Sequence, residues 1–395
     1  MGKRVVIIGG GAAGCFCAVE LKRQDPDADV TVMEAQPRLM AKLSITGGGR
    51  CNLTNTFSDA VNLKDVYPRG EKLVRQAFRV FSPRDTVQWW EREGVRLVVE
   101  DGGRVFPRSG KASQIVDKLA ALIRELGVKV ECRSRVQSVK DLLEDYDFVV
   151  VTTGGGTLSV LDGLPEVKTE KTVPSLFTFR IDDPALKSLM GTAVEDVTMS
   201  LASTKLHSRG DLLITDWGVS GPATLKLSSY AARYLDECGY RADLIVNYLS
   251  RNEEQVRKEL DRLARENPQK FIINTPAGAL SARLWEYLVG KAALRRDQRW
   301  AELGSKGLNR LAAILTADSF RITGRCRFKD EFVTAGGVSA SEVNASTLES
   351  RHCPGLYFAG EVLDIDAVTG GFNLQAAWST AAVVARAIAN SRTSC

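Results

Sequence analysis

Three hydrophobic patterns alternate along the chain. Unbroken β-branched or apolar runs mark strands buried on both faces. They are Val5-Val6-Ile7-Ile8, Val30-Thr31-Val32-Met33 before Glu34, Phe148-Val149-Val150-Val151-Thr152-Thr153, and the segment Gly355 to Glu361. Helical spacing fills the gaps between them. A helix is predicted from Ala12 to about Arg23, and another stretch from Lys72 to Glu93, broken at Ser82-Pro83, where the serine can cap the second piece. Ile115, Leu119, Leu122 and Leu126 share a helix face that stops at Gly127. Val95–Val99 and Gly103–Phe106 predict a hairpin around Asp101-Gly102, and Val128–Cys132 and Arg135–Val139 predict short strands.

Beyond Leu164-Pro165 the period changes to two. Phe177, Phe179 and Ile181 alternate with Thr178 and Arg180, and Val197, Met199 and Leu201 with Thr198 and Ser200, which predicts antiparallel strands in a separate β-rich unit. Asp211 to Pro222 mixes strand and turn signals; its acids and Ser220 suit either a substrate cavity or a structural loop. From Arg251 to about Thr316 the pattern is helical again, with stripes Val256/Leu260/Leu263 and Leu280/Leu284/Leu288, before Phe320 to Phe332 returns to strand-like residues. The last helix carries Leu374, Trp378, Ala381, Ala385 and Ile388 on one face. The whole is an α/β chain: a parallel, Rossmann-like three-layer domain interrupted by β-rich and helical units.

The turns between these elements carry the chemistry. Gly9, Gly11 and Gly14 form GxGxxG between a strand and a helix, and Glu34 ends the next strand 20 residues after Gly14. That combination provides a tight turn, close backbone approach to a pyrophosphate, a helix N-terminus for its charge, and an acid for a ribose. Thr46-Gly47-Gly48-Gly49-Arg50-Cys51-Asn52 places three glycines before Arg, Cys and Asn, a loop whose backbone can approach a flat ligand, or else a surface turn. Gly154-Gly155-Gly156 follows a buried strand at the edge where such folds bind ligands. Gly360-Glu361, a loop holding Asp364 and Asp366, and Gly370-Gly371 opening the last helix form a second cluster.

Composition narrows the class without changing it. At 395 residues, 44% hydrophobic and 26% charged, the chain has the makings of a soluble globular protein with two or three domains. A net charge of +5, spread along the chain, suits anionic small ligands and does not demand nucleic acid; the cluster Arg295-Arg296 with Arg299 reads as a solvated helix face. Eight cysteines show no metal spacing, and two histidines leave little room for a metal centre or a Ser–His–Asp triad, so no metal is expected. Scattered thiols without an export signal imply a cytoplasmic location, and no apolar run implies a membrane partner. The oligomeric state is not readable.

Together, TGGGRCNLTN (Thr46–Asn55), Gly103–Pro107, Gly218–Pro222, TAGGV (Thr334–Val338) and YFAGEVLDIDAVTGGFNLQ (Tyr357–Gln375) resemble the BaiN-like (YhiN-like) NAD(P)/FAD-dependent oxidoreductases, with a glutathione-reductase-type FAD fold. The resemblance spans nearly the whole chain. It implies an FAD domain from residues 1–165 and 335–395, an inserted β-barrel-like domain from 166–248 and 319–334, and a helical domain at 249–318. It also implies that FAD lies on Gly9, Gly11, Ala12, Ala13 and Gly14, with Glu34 and Ala35 at the ribose and Val136 at the adenine. Lys42, Thr46, Gly48, Gly49, Arg50, Cys51 and Asn52 would follow the flavin; Thr153, Gly154, Gly155, Gly360 and Glu361 would hold the ribityl and phosphate portion. Gly371, Phe372, Asn373 and Leu374 would face the pyrimidine edge, where a helix N-terminus stabilises the charge of the reduced ring. Two stretches depart from the family: Gly156–Pro174 is shorter, and Met40-Ala41-Lys42 replaces Gly-Arg-Lys.

The implied activity is transfer of hydride from NAD(P)H, a transient donor, through FAD to a small organic acceptor such as a conjugated C=C bond. Arg50, Cys51 and Asp364 are the candidate catalytic residues, with packing the better account of Cys51. No nucleic-acid partner is expected on balance. The alternatives are a flavoprotein that binds or modifies RNA, which requires a contiguous basic groove, and an FAD-bound redox sensor using Cys51.

Overall fold

Val5, Val6 and Ile7 have no exposed surface, and neither do Val149, Val150 and Val151. Such runs can be satisfied only at the middle of a sheet covered on both sides. In the computed structural model, which describes residues 2–57, 62–156, 158–326 and 333–391, they occupy adjacent strands. The sheet has five parallel strands, in the order Leu356–Phe358, Phe148–Val151, Arg4–Ile8, Asp29–Glu34 and Lys129–Cys132. The central position of the first strand puts its carboxyl end, and the glycine turn after it, at the ligand crevice of such sheets. The helices Ala12–Gln24 and Phe372–Asn390 pack together, and Phe16 sits among Phe81, Trp89 and Trp378 with ring centroids 5.3, 4.8 and 5.3 Å away.

The chain forms two compact units, Met1–Pro174 with Phe332–Cys395, and Ser175–Glu331. In the first, helices Glu71–Ala77 and Pro83–Arg92 flank a break at Ser82, whose side chain and Asp85 form a capping box. A small antiparallel sheet orders Thr54–Asn55, Arg104–Pro107 and Leu97–Glu100. The strand Thr169–Ser175 pairs with Val333–Val338, carrying the first unit past the expected boundary at residue 165. In the second unit, six strands close a barrel, and the helices Glu253–Glu266, Ala282–Lys291 and Gly304–Ala317 share its hydrophobic core. The β-rich and helical insertions are therefore one unit. An isolated set of three helices would leave the apolar stripes of Leu260, Leu284 and Leu311 half covered; Leu244, Val246 and Ile322 of the barrel belong to the same cluster.

One predicted strand is absent. Arg135–Val139 is irregular, and Val139 instead opens the short helix Val139–Asp145, because Ser138 accepts from Lys140 N at 3.2 Å and caps it. Of the stretch Phe320–Phe332, Asp318–Arg325 is strand, while 327–332 lies outside the described residues.

Candidate cofactor and active site

The fingerprint turn is shaped by what its glycines exclude. A Cβ on Gly9 (φ +105°) would lie 2.6 Å from Thr152 O, and one on Gly14 would lie 2.0 Å from Gly9 O. At Gly11 a Cβ would meet nothing within 4 Å, so the backbone there borders open space. The helix it caps has no side-chain cap and no acid in its first turn, leaving N–H groups and positive dipole end directed into that space. Glu34 is fixed at the rim: its Oε2 accepts from Gly10 N at 2.8 Å and its Oε1 from Gln36 N at 2.7 Å. Each oxygen keeps lone pairs for hydroxyl donors.

The loop after the second strand forms a tight coil. Gly47, Gly48 and Gly49 have φ of +58°, +66° and +80°, and Gly48 and Gly49 border open space as Gly11 does. Cys51 also adopts a positive φ, +60°, with its N–H donating to Thr46 O at 3.0 Å. Its side chain is fully buried, and that burial pushes the thiol up to about 12, with a hydrogen bond involving Thr46 acting in the other direction. Arg50 points outward. Its guanidinium lies 4.2 Å from the Phe106 ring centroid and pairs with Glu100, whose carboxyl is held below its usual range chiefly by that hydrogen bond. Asn52, assigned with its amide nitrogen toward Val105 O (3.2 Å) and Thr54 O (3.0 Å), accepts from Gly371 N at 3.1 Å.

That last bond ties the loop to the far end of the chain. Gly360 (φ +76°) sits so close to the fingerprint helix that a Cβ would be 2.8 Å from Ala13 Cβ, and its N–H donates to Thr380 Oγ1 at 2.9 Å. Glu361 accepts from Thr334 N at 2.8 Å and pairs with Lys42 Nζ at 3.2 Å. Gly154 lies beside it, with Glu361 Oε2 3.7 Å from a Cβ built there, and Gly155 packs against Thr334. The 19-residue C-terminal helix begins at Gly371 with neither a side-chain cap nor a first-turn acid. Asn373 turns back to bracket Ala367, at 2.9 Å to its N and 3.0 Å to its O, and Phe372 O accepts from Tyr67 at 2.7 Å.

The structure thus gathers Gly9–Gly14, Glu34, Lys42, Thr46–Asn52, Gly154, Gly155, Gly360, Glu361 and Gly371–Leu374 within one unit. The exposed Ala35 and half-buried Thr153 follow directly on this rim. Val136 lies two residues beyond Ser134, whose N–H donates to Glu34 O at 2.9 Å, so it flanks the same rim. Asp364 acts as a tie: its Oδ1 accepts from Gly336 N at 3.0 Å. In the other unit, Asp216 and Trp217 line a cavity of about 590 Å³ with Arg180, Lys187, Arg325 and Cys326. Ser220 does not line that cavity, and Asp211 instead accepts from Asp196 N at 3.1 Å.

Two supports escaped sequence reasoning. Asn55 donates to Gly102 O at 2.8 Å and Gly370 O at 3.1 Å. Arg69 makes a two-pronged pair with the wholly buried Asp366, one contact at 2.6 Å, just before the glycine pair. Only the repeated Asn of RCNLTN hinted at the first. Nothing local signals an ion pair across 297 positions.

These features fit FAD. Two uncapped helix N-termini, an open glycine cradle and a fixed acid suit an extended ligand with an anionic middle, a ribose at one end and an anion-forming ring at the other. The family model described as "HI0933-like protein Rossmann domain" matches residues 3–387. The 3-dehydro-bile acid delta(4,6)-reductase of Clostridium scindens is 29% identical, over 98% of this chain and 99% of that protein. The ribosomal RNA dihydrouridine synthase of Haemophilus influenzae is 27% identical, over 97% and 98%. Among solved structures, 3-ketosteroid delta1-dehydrogenase from Sterolibacterium denitrificans superposes with a TM-score of 0.51 at 11% identity, covering 98% of this chain and 99% of that one, a likeness of fold. No described helix is long and apolar enough to cross a membrane. The chain belongs to the HI0933-like Rossmann family, and it is an FAD-dependent oxidoreductase.

Proposed function

We propose that the protein is a reductase that saturates a carbon–carbon double bond conjugated to a carbonyl, with NAD(P)H as the electron source. The observation that carries this reading is the joining of the glycine loop Thr46–Asn52 to the uncapped start of the C-terminal helix through Asn52 and Gly371. A bound FAD supplies hydride transfer there. The helix terminus stabilises negative charge on the pyrimidine side of the ring, and the chain's single dinucleotide fingerprint leaves the nicotinamide to dock only transiently.

Of the three candidate catalytic side chains, Arg50 alone is exposed and cationic. It is suited to stabilise the enolate that forms on the acceptor's carbonyl when hydride adds at the β-carbon. Cys51 is buried and protonated, so it packs the loop; this also counts against a redox sensor built on that thiol. Asp364 positions the strand Val333–Val338.

Two acceptors share this chemistry: a free conjugated acid of steroid type, and the uracil ring, whose double bond is conjugated to a carbonyl. The names of the relatives at 29% and 27% identity describe one of each. The test is to load the purified protein with FAD, reduce it anaerobically with NADH or NADPH, and add a conjugated enone acid or a uridine-containing RNA. Reoxidation of the flavin by one of them is expected. A flavin that neither nicotinamide reduces, or that neither acceptor reoxidises, would remove the reading.

A further inference from the structure

The small antiparallel sheet beside the glycine loop has two unlike faces. Its register pairs Leu97 with Pro107, Val98 with Phe106, Val99 with Val105 and Glu100 with Arg104, and one step on, Arg108 N donates to Arg96 O at 2.8 Å. Side chains alternate, so Val105 and Pro107 face the interior, where both are buried. Arg96, Arg104 and Arg108 fall on the opposite face with Phe106. Arg50 lies over Phe106 on that side, and the ring is also the side chain nearest Gly47 after Asn52, with Cε1 3.7 Å from a Cβ built there. Four arginines therefore share the face that borders the candidate active-site loop.

Their charge is only partly offset. Glu100 pairs with Arg50 and approaches Arg104 at 4.0 Å, and Asp101 stands at the turn. Arg96 and Arg108 are exposed, and among the described residues neither has a carboxylate partner. Elsewhere the exposed arginines are commonly matched: Arg209 with Asp196, Arg262 with Glu266, Arg296 with Glu286. Same-face positions on a strand recur about every 6.8 Å, so this is a row of guanidinium groups, which suits a ladder of phosphates better than a single anion.

We infer that this arginine face docks the phosphate backbone of single-stranded RNA and brings a uracil to the loop Thr46–Asn52. This rests on the reading of the protein as a reductase of conjugated double bonds, and it selects the RNA-borne acceptor. Binding tests it independently of turnover. Anisotropy of a labelled, uridine-containing single-stranded RNA is followed on the FAD-loaded full chain as salt is raised. Replacing both residues, Arg96→Ala with Arg108→Ala, removes two phosphate contacts. The slope of log affinity against log salt should become shallower by about 1.4, and affinity at low salt should fall about 10- to 100-fold. Arg262→Ala should leave both unchanged, and Arg96→Lys with Arg108→Lys should retain most of the binding. In the unmutated protein, bound RNA should shield Arg96 and Arg108 from an arginine-specific dicarbonyl reagent.

No RNA binding by the unmutated chain, or an unaltered slope in the double alanine variant with no shielding, would overturn the inference. A fall confined to NADPH affinity would overturn it too, because the face would then serve the donor. RNA held by this face but never reduced would leave the docking surface standing and remove the acceptor assignment.

Discussion

Glu34 accepts hydrogen bonds from Gly10 and Gln36 while its outer lone pairs remain for the ribose. Glu34→Gln keeps the shape and loses the charge-assisted bonds, worth about 1.5–3 kcal/mol, so FAD affinity should fall roughly 10- to 100-fold by fluorescence titration. Unaltered affinity would move the ribose contact elsewhere. Cys51 and Cys17 make a prediction of opposite character. Burial pushes both thiols up to about 12 in the folded chain. The unfolded chain ionises these groups near pH 8.5, so between about pH 9 and pH 12 it binds fewer protons than the folded one. Stability from the raised values is complete below that window and is lost across it, at about 1.4 kcal/mol per pH unit for each thiol. Denaturant unfolding followed from pH 8 to pH 11 should steepen accordingly, and Cys51→Ala should flatten the dependence. Near neutral pH, Cys51 should resist alkylation unless the protein is unfolded.

At the scale of elements, Ser82 tests how local signals build the scaffold. Its side chain and Asp85 close a capping box around the start of the helix Pro83–Arg92, so Ser82→Ala should cost about 1 kcal/mol in unfolding free energy. That cap was legible from Ser-Pro, as was the hairpin from Asp-Gly and the fingerprint from its glycines, because each signal lies within a few residues of the structure it causes. Arg135–Val139 misled for a related reason. Its composition suits a strand, but Ser138 offers a competing local bond and starts a helix instead. The pair Arg69–Asp366 was not legible at all, since its partners meet only after folding. Breaking it with Asp366→Ala leaves a largely buried guanidinium without this counter-ion, at an expected cost of about 3–5 kcal/mol in thermal or denaturant unfolding. A loss below about 1 kcal/mol would mean that the loop before the C-terminal helix is held by Asn55 and Asn373 instead.

At the scale of the molecule, the candidate site is a joint between the two ends of the chain. The fingerprint is read at residues 9–14, but Gly360, Glu361 and Gly371 close the site from the far end, through Ala13, Lys42 and Asn52. The sequence motifs marked both halves; the bonds that join them, and the arginine face beside them, depend on long-range packing and strand register. If both halves hold the same flavin, damage to either should release it. Gly14→Ala forces a Cβ to within 2.0 Å of Gly9 O, and Asn52→Ala removes the bond to Gly371.

The most direct test of the central claim is an anaerobic visible spectrum of the FAD-loaded protein during titration with NADH or NADPH, then with a conjugated acceptor. The account predicts a yellow protein with about one FAD per chain, bleaching with a nicotinamide, and recovery of colour as the acceptor's double bond is reduced. A chain that takes up no FAD, or whose bound flavin no conjugated double bond reoxidises, would contradict it.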